Sequence, residues 1–410
     1  MNRRTPAALA LAAAILAAPH AGRTPPWPVT SAHAEDVSAK DAFEAAKELG
    51  TLEAWNAFLD RYPDGFFADL ARAYVKRLAG GEAGEAKPAD PAKAEPEKAA
   101  EEAAEETSTS TSQRAEIKLG PNVSLGGMRL MPDDSPWNQD ISDAPVDPNS
   151  KKILARIGLD KPLHPDFGTE WEGAPIGIPY VVVSGKQKRV PVTFDPYADE
   201  SDPGPYPIPP DAPIEGGPDG DGDRHVIVLD RDSWTLYEVF NSFPDGKGWK
   251  GEGGAIWNLN ENQVRPAGWT SADAAGLPIL PGLVRYDEVV EKGAIEHALR
   301  FTVAKTRRAY VPPASHWASE HTDADLPPMG MRLRLRADFD ASELSKEAQV
   351  IVQALKTYGM FLADNGSDNF VSGAPDPRWN DDALRDLKRV TTADFEVIEM
   401  EGLVADKRKK

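Results

Sequence analysis

Apolar and polar positions fall into three regimes along the chain, and each predicts a different kind of structure. Over residues 38–79 the apolar side chains recur at helical spacing: Phe43, Ala46 and Leu49, then Leu52, Trp55, Phe58 and Leu59, then Phe67, Leu70, Ala71, Tyr74 and Leu78. Gly50 and the Pro63-Asp64-Gly65 turn divide this pattern, which predicts a small unit of short helices. Residues 80–116 form an Ala/Glu/Lys/Pro run ending in "TSTSTSQ", with no large apolar side chain before Ile117. Such a segment cannot bury enough surface to offset its chain entropy, so a disordered, charged linker is expected.

From residue 117 to 400 the pattern becomes that of a large folded domain. Segments such as "HVIVLD", "WTLYEVF", "GAIWNLN", "LVRYDEVV", "ALRFTVA" and "MRLRLRADF" read as strands, and "YVVVSGKQKRVPVTF" as a hairpin. Helices are expected over 341–359, with Ser342 as cap, and at "SKKILARIG" and "WNDDALRDLKRV". Strands that follow one another without intervening helices argue against a doubly wound parallel sheet. The expected fold class is mainly β, an antiparallel β-sandwich or jelly-roll-like domain with a few peripheral helices. Residues 401–410 are a charged tail.

The first 34 residues have a basic start (Arg3, Arg4), the apolar run "AALALAAAILAA" and an "AHA" close, as a secretory signal peptide has. A secreted or periplasmic protein with no transmembrane segment after processing is therefore expected. The chain has no cysteine, which excludes disulfides, thiolate metal sites and a cysteine nucleophile. Its net charge of -20 argues against nucleic acid as a partner.

Two resemblances add to this picture. The portion "EAWNAFLDRYPDGFFADLARAYVKRL" resembles the degenerate tetratricopeptide-like helical units attached to diverse secreted bacterial enzymes, including caspase-like peptidases, which implies an accessory element able to dock another protein. The domain from Met131 onward, with "MPDDSPWNQDIS", "YADESDPGPYPIPPDAPIEGG", "RPAGWTSADAAGLPILPGLVRYDEV" and "ALKTYGMFLADNGSDNF", resembles a set of secreted bacterial β-rich proteins. That second resemblance implies the domain boundaries and export, and no activity.

Candidate chemistry comes from strand parity. In "GDRHVIVLDRDSWTLYEVFNS", His225 shares a face with Ile227 and Leu229, and Glu238 shares one with Leu236 and Phe240; His297 travels likewise with Leu299 and Phe301. A carboxyl group among apolar neighbours has a raised pKa, which suits general acid or base work. Glu238, His225 and His297 are thus the catalytic candidates for cleaving a glycosidic bond. The second carboxylate that hydrolysis requires could be supplied by Asp223, Asp287, Glu288, Asp364 or Asp368. Tryptophans beside Gly, Asn and Pro suit sugar rings, so Trp257, Trp269 and Trp317, with Arg300 and Asp364, are the substrate-binding candidates. Arg332, Arg334 and Arg336 alternate with leucines as a basic strand face, suited to anionic sugars or to acidic neighbours.

"DGDGDRH" places Asp219, Asp221 and Asp223 two apart like half of a calcium loop, while the rest of that motif is missing. No cofactor is required by this chemistry, and Ca2+ is the one the pattern suggests. No G-x-S-x-G or HExxH pattern occurs. The expected partner is a polysaccharide or cell-envelope glycan. Three functions compete: a glycoside hydrolase or polysaccharide lyase, a non-catalytic glycan-binding or envelope module, and a structural docking protein.

Overall fold

The computed structural model describes residues 113–405 and, nearer the N-terminus, 51–62 together with 42, 43, 46, 71, 72 and 75. The expected signal peptide, most of the small helical unit, nearly all of the linker and residues 406–410 lie outside the described residues. The chain divides into two compact units, 1–93 and 94–410.

In the first unit, α1 (Leu52–Arg61) begins at Thr51, whose side chain accepts from the Ala54 N–H. Trp55 and Phe58 from this helix bury themselves with Phe43, Ala46 and Ala71 in a cluster of their own. The helical spacing read from the sequence is the spacing that builds this cluster.

The second unit is mainly β. Its two large sheets are made of β1 (Gly120–Pro121), β2 (His164–Asp166), β3 (Tyr180–Val183), β4 (Val226–Asp230), β5 (Thr235–Phe240), β6 (Gly253–Asn258), β7 (Leu299–Val303), β8 (Arg332–Leu335), β9 (Met360–Asn365), β10 (Phe370–Ser372) and β11 (Phe395–Val397). One sheet runs β1-β3-β4-β5-β6 and the other β11-β8-β9-β7-β10-β2. Residues from both meet in a single apolar cluster that includes Ile227, Leu229, Leu236, Phe301, Leu333 and Leu362. The first sheet is also covered on its opposite face, where Val181, Val226, Val228 and Val239 pack with Tyr206, Ile208 and Trp249. Burial on both faces explains why these strands read as nearly continuous apolar runs.

The sheets are mixed rather than purely antiparallel. β3 pairs in parallel with β4, β7 with β9, and β10 with β2. The expected hairpin from Tyr180 to Phe194 does not form, because Val192–Phe194 leaves β3 to pair in parallel with Gly248–Gly251 in a separate small sheet. "DEVV" is helical, not a strand: Asp287–Lys292 coils in a π-helical turn closed by Gly293 in the left-handed region. Around it is a buried ion network. Arg285 pairs with Asp287 (3.3 Å) and Glu288 (2.8 Å), and Asp287 Oδ2 accepts from the N–H groups of Leu125 and Gly127.

The helices are peripheral, as expected. They are α2 (Ser150–Ile157), α3 (Lys346–Thr357) and α4 (Asp381–Leu384). The true cap of α3 is Ser345, whose hydroxyl accepts from Ala348 N–H, while Ser342 sits in the preceding turn bonded to Asp340. The domain begins slightly before residue 117: residues 113–116 are helical, and Arg114 lies 4.3 Å over the Trp234 ring and donates to Asn260.

Candidate active site

Parity holds where it was read. Ile227 stands opposite Glu238 and Leu229 opposite Leu236, so His225, one residue before β4, and Glu238 face the same layer. Their surroundings differ sharply. Glu238 has no exposed surface, and its carboxylate accepts from Ile279 N–H, Leu280 N–H and the Trp257 indole N–H. Burial pushes its pKa up to about 7 in spite of those donors. Fully buried and bonded to three donors, Glu238 pins the 279–282 turn to the sheet. Glu238→Ala should cost about 3 kcal/mol, since it orphans three buried N–H groups; urea unfolding measures this.

The raised pKa gives that role a pH signature. A carboxyl group near 4.5 when unfolded and near 7 when folded contributes most stability below 4.5, and that contribution disappears as pH rises to 7. Glu238→Gln should therefore flatten part of the fall in the urea midpoint across this window.

His297 does not join His225 and Glu238. Its Nε2 lies 3.1 Å from Glu288 and its Nδ1 2.8 Å from the Ala298 carbonyl, which places it in the Arg285 network. Asp287 and Glu288 are accounted for in the same network, and Asp368 pairs with Lys161 at 3.5 Å.

The tryptophans expected to bind sugar divide similarly. Trp257 is buried beneath Glu238, whereas Trp269 is half-buried with Arg265 5.4 Å from its ring. Trp317 stacks on Tyr310, with centroids 5.7 Å apart. The basic face of β8 is internal: Arg332 donates to the Tyr358 and Gln139 carbonyls, and Arg334 to those of Ile141, Ser142 and Ala144 and to Glu396. These arginines tie loops to the sheet and do not present charge to a ligand. Arg336 faces Asp338 and the Ala393 carbonyl.

The structure instead gathers ionisable groups on one face of the second sheet. Residues paired across a sheet share a face. Asp166 pairs with Ser372, Phe370 with His164 and Thr302, and Thr302 with Asp364. Arg300, two residues before Thr302, lies on that face as well and donates to Ser372 Oγ at 2.6 Å and to Asp273 at 2.7 Å. Across from them stand Glu215, Asp223 and His225. His225 Nδ1 is 2.5 Å from Glu215 Oε2, and Nε2 is 3.0 Å from the Ala272 carbonyl.

Electrostatics separate these groups. Burial and then the nearby Asp273 raise Asp364 to about 7, with Arg300 pulling the other way. Asp166, though exposed at its surface, is raised first by the groups that crowd water away from its carboxyl and then by Glu215, again opposed by Arg300. Burial disfavours an imidazolium at His225, but Glu215 overrides it and lifts the pKa to about 9; the same ion pair holds Glu215 below the usual carboxylate range despite its burial. Asp273 is raised by burial against the pull of Arg300.

Asp166, alone of this cluster, lines a cleft of about 420 Å³ together with His164, Trp171, Phe370, Arg385 and Lys388 among others. Trp171 is 68 % exposed, and the His164 and Phe370 rings stack with centroids 4.0 Å apart. Asp364 is partly exposed and Asp166 exposed. Of the residues expected to act, His225, Arg300 and Asp364 come together. Asp166, Glu215, Asp273 and Ser372 were not foreseen, because they lie in strands of three residues or in turns where periodicity carries no signal. Asp219 and Asp221 are exposed in their turn, and only Asp223 of the three aspartates joins the cluster.

Comparison with known protein families, with curated proteins and with solved structures finds no match for this chain.

Proposed function

We propose that this is an exported enzyme that hydrolyses a glycosidic bond in a polysaccharide, with Asp364 as proton donor and Asp166 as its partner carboxylate. The observation that carries this reading is that Asp364, raised to about 7 yet partly open to solvent, and Asp166, which lines the aromatic cleft, both lie within electrostatic reach of Arg300 between them on one sheet face. A carboxylic acid protonated near neutrality can deliver its proton to the glycosidic oxygen as the bond from the anomeric carbon breaks. Asp166 takes a proton from the water that adds to that carbon. Arg300, held by Asp273 and Ser372, keeps the two carboxyl groups in an ionic balance.

Sugar rings pack on aromatic faces, and the exposed Trp171 with the stacked His164 and Phe370 supplies such faces beside the acid groups. Trp171→Ala should weaken glycan binding about fivefold, about 1 kcal/mol, with the melting temperature unchanged, since the ring buries little in the domain. Affinity electrophoresis of the full chain in gels containing single polysaccharides measures it. The same panel, assayed for new reducing ends, tests catalysis: Asp166→Asn should remove activity. If glycan is bound and no panel member is ever cut, the domain is a non-catalytic glycan-binding module instead.

A further inference from the structure

The geometry points to a divalent metal site formed by Glu215, Asp223 and His225, suited to a zinc- or manganese-class ion rather than calcium. One ligand atom from each residue lies within 4.8 Å of the other two, a spacing a single ion can bridge. Imidazole nitrogen with two carboxylate oxygens is the donor mixture of borderline ions, whereas calcium takes oxygen ligands only.

The frame around these residues is built to hold them. Nε2 of His225 donates to the Ala272 carbonyl, the second-shell arrangement that orients metal-binding histidines, so Nδ1 faces Glu215; without an ion Nδ1–H donates to Glu215 Oε2, and a bound ion would take the place of that proton. Arg224 stands between two ligands with φ of 51°, and its guanidinium donates to the carbonyls of Gly220 (2.5 Å), Pro218 (3.1 Å) and Ser242 (3.1 Å). That fork fastens the 215–225 loop to the end of β5. Glu215 N–H donates to the His225 carbonyl, which fixes the first and last ligands against each other.

An independent observation lies beside the site. Asp273, one residue on from the carbonyl that holds His225, is 1 % exposed, and among the described residues its Oδ2 has no hydrogen-bond partner. It is within electrostatic reach of His225. Five carboxyl groups, Glu215, Asp223, Asp273, Asp166 and Asp364, thus lie around His225 and Arg300, and a doubly charged ion in place of the His225 proton adds positive charge among them. Asp223 is exposed and the Glu215 side chain is 23 % exposed, so the solvent side is open for a water or a sugar hydroxyl as a further ligand.

The site rests on this ligand geometry and not on glycan cleavage. The test is titration of chelator-treated full chain with Zn2+ against a chromophoric competitor, with Co2+ as a spectroscopic probe and Ca2+ in parallel. One tightly held Zn2+ per chain is expected, with a Co2+ visible spectrum of low symmetry. Asp223→Asn, at an exposed position that leaves the fold intact, should weaken Zn2+ binding at least tenfold, as should Glu215→Gln, while Asp219→Ala and Asp221→Ala should leave it unchanged. Absence of stoichiometric Zn2+ binding, binding indifferent to Asp223→Asn, or a preference for Ca2+ that depends on Asp219 and Asp221 would each overturn the site.

Discussion

Asp364→Asn should lower glycan cleavage by at least about 100-fold while leaving the melting temperature within a few degrees of the wild type, because general acid catalysis is worth roughly 10²–10⁴ in rate. The asparagine keeps the shape of the side chain and its place beside Asn365 but cannot supply a proton. The raised pKa fixes the direction of the pH profile: the acid form is the working form, so wild-type activity falls as pH rises through about 7. Asp364→Glu should retain measurable activity with the alkaline limb moved. A rate profile on any cleaved polysaccharide, with melting curves alongside, reads both effects. A D364N protein with wild-type rate and pH profile would remove Asp364 from the chemistry.

Arg285→Met should destabilise the domain by about 3–5 kcal/mol, the cost of leaving a buried charge without its partner. Arg285 is 1 % exposed and faces Asp287 and Glu288, which are also buried, while its Nη2 donates to the Met128 carbonyl. Removing the guanidinium strands two carboxylates in the interior and frees the 124–128 turn that Asp287 holds. The expected result is a large drop in the urea midpoint, together with loss of His297 packing against Glu288. Replacing the solvent-facing Arg385, paired with Asp382 on the surface, should change stability by less than about 1 kcal/mol. Equal effects at the two positions would show that the inner network is not a structural tie.

The fold class was legible in the apolar runs, and strand parity correctly placed His225 and Glu238 on one layer. Parity carries no information about depth, however. Both are buried, but Glu238 is enclosed by backbone and indole donors while His225 reaches the partly exposed Glu215, and a period of two reads the same for both. Pairing direction was hidden too. Nothing in "YVVVSGKQKRVPVTF" announces that its second half joins Gly248–Gly251, because that partner is more than fifty residues away. "DEVV" looked like a strand because its valines suit one, yet Asp287 and Glu288 are drawn inward to Arg285 and the segment coils.

Site residues were legible only where they sat in strands long enough to show a pattern. Arg300 falls in such a strand, whereas Asp364, expected in a polar turn, lies near the end of β9. Asp166 occupies a three-residue strand, Glu215 and Asp273 occupy turns, and what unites them is the pairing of β2, β10, β7 and β9, strands widely separated in sequence. Tryptophan context misleads for a related reason: Trp257 stands beside turn residues yet is buried in the core, whereas Trp171, on a two-residue strand, is the most exposed tryptophan among the described residues.

The proposed glycan cleavage depends on Asp364 as proton donor. The most direct measurement takes each polysaccharide that the wild-type full chain retards in affinity electrophoresis and follows new reducing ends with wild type and D364N side by side. The account predicts that wild type releases ends from at least one of them and that D364N binds the same polymer without cutting it. Retardation by both proteins with no ends released by either, or equal release by both, would contradict it.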